Sequence, residues 1–115
     1  MPRRNSPDAD AKAIGRRIRA LRREAGLTQE KLAYESDLGS KGYLSDIEHG
    51  LALPTVKTLR VLAERLDILP LDLITNPAAS MRQKLIDRTR GLTAGALRKL
   101  LRQLPPPRSP CGTRT

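Results

Sequence analysis

The sequence predicts an all-α fold, and three observations carry that reading. The 115 residues include no Phe, no Trp and only two Tyr, while nineteen are Leu, so the core has to be aliphatic. A β-sandwich would draw on aromatic and β-branched residues instead. Apolar residues recur at helical spacing, as in Ile14, Ile18, Leu21 and Ala25. The periodic segments are separated by short breaks that contain Gly or Pro and are followed by Ser or Thr suited to capping a helix.

The elements follow in order. Residues 1–9 are polar and basic with Pro2 and Pro7, and are expected to form a disordered arm. A first helix is expected from about Asp10 to Ala25, with the Ile14–Ile18–Leu21–Ala25 stripe turned inward and Gly26 placed to stop it. Arg16, Arg19 and Arg23 lie on its opposite face and read as solvated charge, whereas Arg22 borders the apolar stripe. Thr28 caps a second helix that turns Leu32 and Ala33 inward and ends near Ser36 or Asp37. Ser40 caps a third, about Ser40 to His49, with Leu44 and Ile47 inward and Gly50 at its end. Pro54-Thr55 opens a fourth with Val56, Leu59, Leu62, Ala63 and Leu66 as its buried face. Pro70 suits the first turn of a short fifth helix through about Ile74. The compact unit is thus expected over residues 10–76.

Residues 77–104 read as a helical extension. Met81, Leu85 and Ile86 mark one helix, Gly91 breaks it and Thr93 caps the next. In that last helix Leu97, Leu100, Leu101 and Leu104 recur at i, i+3, i+4 and i+7, with Arg98, Lys99 and Arg102 on the other side. One isolated helix cannot bury all four leucines, so they need the core or a second chain, and self-association is expected. Pro105-Pro106-Pro107 ends any helix, and residues 105–115 are expected to be disordered.

The net charge of +10 is unevenly placed. Residues 1–27 carry +5, residues 28–77 carry −3 and residues 78–115 carry +8. A basic chain attracts polyanions, yet here the positive field belongs to the flanks. Cys111 is the single cysteine and His49 the single histidine, which leaves no intrachain disulfide and no cluster of metal ligands. Glycine-rich phosphate loops and Ser/His/Asp sets are absent from the sequence, so no enzyme and no cofactor are expected. No apolar run reaches membrane-spanning length and the basic N-terminus has no apolar stretch behind it, so a cytoplasmic location is expected.

Two short amphipathic segments on either side of a turn, with a third after a Gly…Pro loop, form a helix-turn-helix layout. The ordered set Ile18-Arg19-Ala20-Leu21-Arg22, Gly26 to Ala33, Tyr43-Leu44-Ser45, Ile47-Glu48-His49-Gly50, Pro54-Thr55, Thr58-Leu59 and Leu62-Ala63 resembles the Cro/C1-type (XRE) helix-turn-helix family. The resemblance implies a five-helix bundle that binds double-stranded DNA as a homodimer, with the third helix in the major groove. By position it implies that Gln29 clamps a backbone phosphate, that Lys41, Gly42, Ser45 and Asp46 face the groove, and that Tyr43 and His49 contact phosphates. It also implies a structural ion pair between Arg22 and Glu48. The chain departs from the family in three places. Leu38-Gly39-Ser40 makes the turn one residue longer, Asp37 stands where a turn glycine is usual, and Leu51 and Leu53 replace polar loop residues.

The expected function is therefore a sequence-specific DNA-binding transcriptional regulator of repressor type. The alternative is a protein-interaction module on the same fold, antitoxin-like or anti-repressor, favoured by the acidic middle of the chain and by Leu51 and Leu53. A protein partner through the C-terminal extension is a further expectation. The basic amphipathic last helix also has a membrane-surface reading, ranked below packing or dimerisation.

Overall fold

The computed structural model describes residues 8–108, and among these the chain forms seven helices and no strand. They are α1 (Ala9–Glu24), α2 (Gln29–Glu35), α3 (Lys41–Glu48), α4 (Val56–Leu66), α5 (Pro70–Ile74), α6 (Met81–Thr89) and α7 (Ala94–Gln103). Residues 1–7 and 109–115, which include Cys111 and most of both expected disordered termini, lie outside the described residues.

Side-chain caps start the helices. Thr28, Thr55, Ser80 and Thr93 each accept a hydrogen bond from the backbone N–H three residues on, at 3.0 to 3.1 Å. Each such cap stabilises its helix by about 1 kcal/mol. Ser40 holds the cap position of α3, but its hydroxyl makes no capping bond.

One backbone device stops four helices. Gly26, Asp37, Gly50 and Asp67 all adopt left-handed φ, between 56° and 77°. The following residue, Leu27, Leu38, Leu51 or Ile68, donates its N–H to the carbonyl five residues back. This satisfies a carbonyl that the helix leaves free and turns an apolar side chain back over the helix end. Leu27, Leu38 and Ile68 pack on the core accordingly. At Asp37 and Asp67 the chain uses the residue type that tolerates this conformation best after Gly and Asn.

The core is Ile18, Leu21, Leu32, Ala33, Leu44, Ile47, Leu59, Leu62, Ala63 and Leu73, contributed by α1 to α5. It contains no aromatic ring. α1 packs on α3 and α5, α2 on α3 and α4, and α4 on α5. The expected inward faces need two corrections. Val56 is 67% exposed, because it is the first residue of α4, where the helix has only begun and its period does not yet hold the side chain against the core. Ala25 is exposed because it is the cap residue of α1, already leaving the helix. In its place α1 buries Ala11, Gly15 and Arg22, which make a second inward face toward α3.

α6 and α7 bury none of their residues fully. α6 is held against α1 by ions instead of by apolar packing. Asp87 accepts from Arg17 at 2.8 Å and from Arg90 at 3.0 Å, and Arg90 grips Glu24 with two bonds of 2.9 and 3.0 Å. Arg17 also donates to the Asp72 carbonyl of α5 at 2.8 Å. The Arg17 and Arg90 guanidiniums hold the Asp87 carboxyl below its ordinary range, and Arg90 does the same to Glu24. Glu24 in turn makes Arg90 harder to deprotonate. No helix among the described residues is long and apolar enough to cross a membrane.

Candidate nucleic-acid interface

α3 is short, and its orientation is set from behind. Leu44 and Ile47 are fully buried in the core. Gly15 of α1 lies under the last turn of α3 so closely that a Cβ there would collide with the Ile47 and Glu48 carbonyl oxygens. Beside this contact Glu48 is buried, and its carboxylate accepts from Arg22 Nε at 2.7 Å, Arg22 Nη2 at 3.0 Å and Gln29 Nε2 at 2.9 Å. The third Arg22 nitrogen donates to the Leu27 carbonyl at 2.7 Å. A planar guanidinium matches a carboxylate with two parallel bonds. The result is a charged lock joining α1, the start of α2 and the end of α3.

With that face fixed, α3 turns a second face outward. Lys41, Gly42 and Asp46 are exposed, and Ser45 is half-buried. Lys41 Nζ lies 3.4 Å from Glu30 of α2, with both side chains more than half exposed. Such a pair contributes little, so swinging the ammonium away costs little. Asp46 makes no ion pair among the described residues.

The flanking residues are tied in more than the sequence indicates. Tyr43 is half-buried against the core, with its hydroxyl 3.5 Å from Thr58 of α4. His49 is exposed, with Nδ1 2.8 Å from the Ser45 carbonyl. A carbonyl can only accept, so Nδ1 carries the proton there. A neutral ring in that tautomer presents Nε2 as an acceptor, and a phosphate contact from Nε2 requires the doubly protonated ring. Gln29 gives one of its two amide N–H groups to Glu48 and keeps the other for an outside acceptor.

The site opens into a shallow basin lined by Arg19, Arg23, Thr28, Gln29, Lys41 and His49. It brings the end of α1, the start of α2 and both ends of α3 to one surface. Gln29, Lys41 and His49 are thus together, while Tyr43 sits to the side toward α4. The expected self-association residues are elsewhere, on α7. Leu97, Leu101 and Leu104 are exposed and Leu100 is half-buried.

Sequence reasoning missed Gly15 and the Arg17–Asp87–Arg90–Glu24 network. For the network a signal existed, since Asp87 is the only acidic residue after residue 77. A lone carboxylate in so basic a segment has a partner to find.

Comparison with known proteins agrees with this architecture. Residues 13–74 match the model of a family described as a helix-turn-helix domain. Over 64 residues the chain is 44% identical to an HTH-type transcriptional regulator of Sinorhizobium fredii, spanning 56% of this chain and 82% of that protein. It is 44% identical over 55 residues to the immunity repressor of Bacillus phage phi105, covering 48% of this chain and 38% of the repressor. Among solved structures it is similar to a chain of the SinR protein/SinI protein complex, with TM-score 0.57 and 29% identity over 78% of this chain and 92% of that one.

Proposed function

From membership of the Cro/C1-type helix-turn-helix family, to which this chain belongs, we infer that it is a DNA-binding transcriptional regulator that reads its operator with α3. The observation that carries the groove assignment is the two-faced α3. One face is locked by Leu44, Ile47 and the Arg22–Glu48–Gln29 cluster, and the other presents Lys41, Gly42, Ser45 and Asp46 to solvent. A reading helix needs both properties, because base-edge hydrogen bonds are specific only when the donors are held in place. In this reading Lys41 bonds guanine O6 or N7, and Ser45 or Asp46 accepts from a cytosine amino group. Gln29, Tyr43 and His49 contact the backbone. The regulator acts in the cell interior, where the DNA is, and as a repressor, as the phage relative does.

Selection of bound duplex from a random-sequence pool tests this and returns the site and its symmetry together. Failure to enrich any sequence from the pool would overturn the reading. Two substitutions should then separate in kind. Lys41→Ala should relax preference at one base position, by about 1–3 kcal/mol for a bidentate contact. Gln29→Ala should weaken all duplexes alike, since phosphate contacts position a protein without reading sequence. Anisotropy titrations against the selected site and its single-base variants make the distinction.

The functional unit in this reading is a homodimer assembled through α7. Support comes from the Leu97–Leu100–Leu101–Leu104 face, of which Leu97, Leu101 and Leu104 are exposed and Leu100 is half-buried. Two recognition helices about 34 Å apart would favour a palindromic site with half-sites one helical turn apart. Sedimentation of the full chain at tens of micromolar, roughly 6–7 kcal/mol of association, should show a dimer. Leu101→Glu should give a monomer. A wild-type monomer at that concentration would remove the dimer from the mechanism.

A further inference from the structure

The part of the DNA-facing surface that α2 and α3 contribute is poor in positive charge. Glu30, Lys41 and Asp46 together leave it net negative, and residues 28–77 as a whole carry −3. Phosphate neutralisation supplies most of the sequence-independent affinity of DNA-binding proteins, so the cations have to come from elsewhere. α1 offers them in an ordered form. Lys12, Arg16, Arg19 and Arg23 recur at i, i+4, i+7 and i+11, the spacing of a single helix face. All four are exposed, and none is in an ion pair among the described residues. The other α1 cations are engaged, Arg17 with Asp87 and Arg22 with Glu48.

The position of this row is as informative as its charge. The side of α1 against α3 is defined by Gly15 under the Ile47 and Glu48 carbonyls and by Arg22 on Glu48. The side against α6 is defined by Arg17 and Glu24, which reach Asp87 and Arg90. At about 100° per residue, the row of four falls between these two sides, with Lys12 passing close to Gly50 just beyond α3 and Arg16 beside Thr75, Asn76 and Pro77. Its C-terminal members, Arg19 and Arg23, line the same basin as Gln29, Lys41 and His49. From Lys12 to Arg23 the row runs about 16 Å along the helix. That length matches about five base steps of the duplex axis at about 3.4 Å each.

We propose that Lys12, Arg16, Arg19 and Arg23 form a backbone-phosphate track that continues the recognition surface onto duplex flanking the half-site. The proposal rests on the DNA-binding reading above and adds where its electrostatic affinity resides. The track is blind to sequence, because its side chains reach phosphates and no base edge.

The test uses the full chain and a labelled random-sequence duplex of about 30 base pairs, titrated by anisotropy between about 50 and 200 mM salt. Replacing Arg16, Arg19 and Arg23 together by Gln should make the slope of log affinity against log salt shallower by about 2 to 3 units, near 0.9 per lost phosphate contact. The same three positions changed to Lys should keep the wild-type slope. The single change Arg16→Gln should alter it by about 1 unit, which keeps the proposal testable if the triple variant does not fold. The ratio of affinity for the selected site to that for random duplex should stay the same in every variant. Wild-type slope in a folded triple-Gln variant would overturn the track while leaving the DNA-binding reading intact. Wild-type protein that binds no duplex even at the lowest salt would overturn both.

Discussion

Glu48→Ala should lower the stability of the protein by about 3–5 kcal/mol, read as a fall in the urea midpoint with unchanged slope. The size follows from the burial. The Glu48 side chain is 1% exposed and that of Arg22 is 9% exposed, so removing the carboxylate strands a guanidinium without its partner. Gln29 loses its acceptor as well. Gln29, half-buried at the basin, can turn to water, whereas the buried Arg22 guanidinium has no such ready substitute for the carboxylate. The double change of Arg22→Met with Glu48→Leu should be far milder, because it strands no charge. If the single and double variants lose equal stability, the lock contributes through packing and its charges are incidental.

Gly15→Ala should also destabilise strongly, against the ordinary sign of that substitution. In an open helix interior Ala is favoured over Gly by about 1 kcal/mol. Here the new Cβ would stand 2.8 Å from the Glu48 carbonyl oxygen and closer still to that of Ile47. Both obstacles are backbone atoms of the last turn of α3, so no rotamer change relieves them. α3 must shift away from α1, which also spoils the Arg22–Glu48 geometry. The expected cost is at least about 2–3 kcal/mol, with loss of specific DNA binding in excess of the loss of folded protein. Gly95→Ala in α7 is the matched control, since the nearest atom there is 4.0 Å away. It should be neutral or slightly stabilising. Equal effects at the two positions would mean that α3 is free to reseat.

The fold was legible because its punctuation is local. Thr28, Thr55 and Thr93 announce helix starts, and Gly26 and Gly50 announce stops, each through bonds spanning no more than five residues. The inward Leu and Ile positions follow from helical period alone. Val56 and Ala25 were misread at helix ends, where period no longer dictates direction. What escaped was long-range and polar. Arg17 and Asp87 are 70 residues apart, and an arginine on a helix face looks like solvated charge until its partner is known. Gly15 carries no periodic signal at all; its importance lies in the atoms of another helix. The α7 leucines show the converse limit, since an apolar face is plain in the sequence while its cover is not.

An all-aliphatic core has an optical consequence. With no Trp and no Phe in the chain, near-ultraviolet absorption belongs to Tyr34 and Tyr43 alone. Tyr34 is 86% exposed, so its ring experiences little fixed asymmetry and contributes a weak dichroic signal. Tyr43 sits on α3, half-buried against the core and beside Thr58 of α4. The tyrosine dichroism of this protein is therefore a report from the recognition helix and its neighbour, while far-ultraviolet dichroism counts helix everywhere. A change that unseats α3 without melting the bundle would erase the first signal and spare the second. Both tyrosines absorb, but the dichroic signal is weighted to the one on α3.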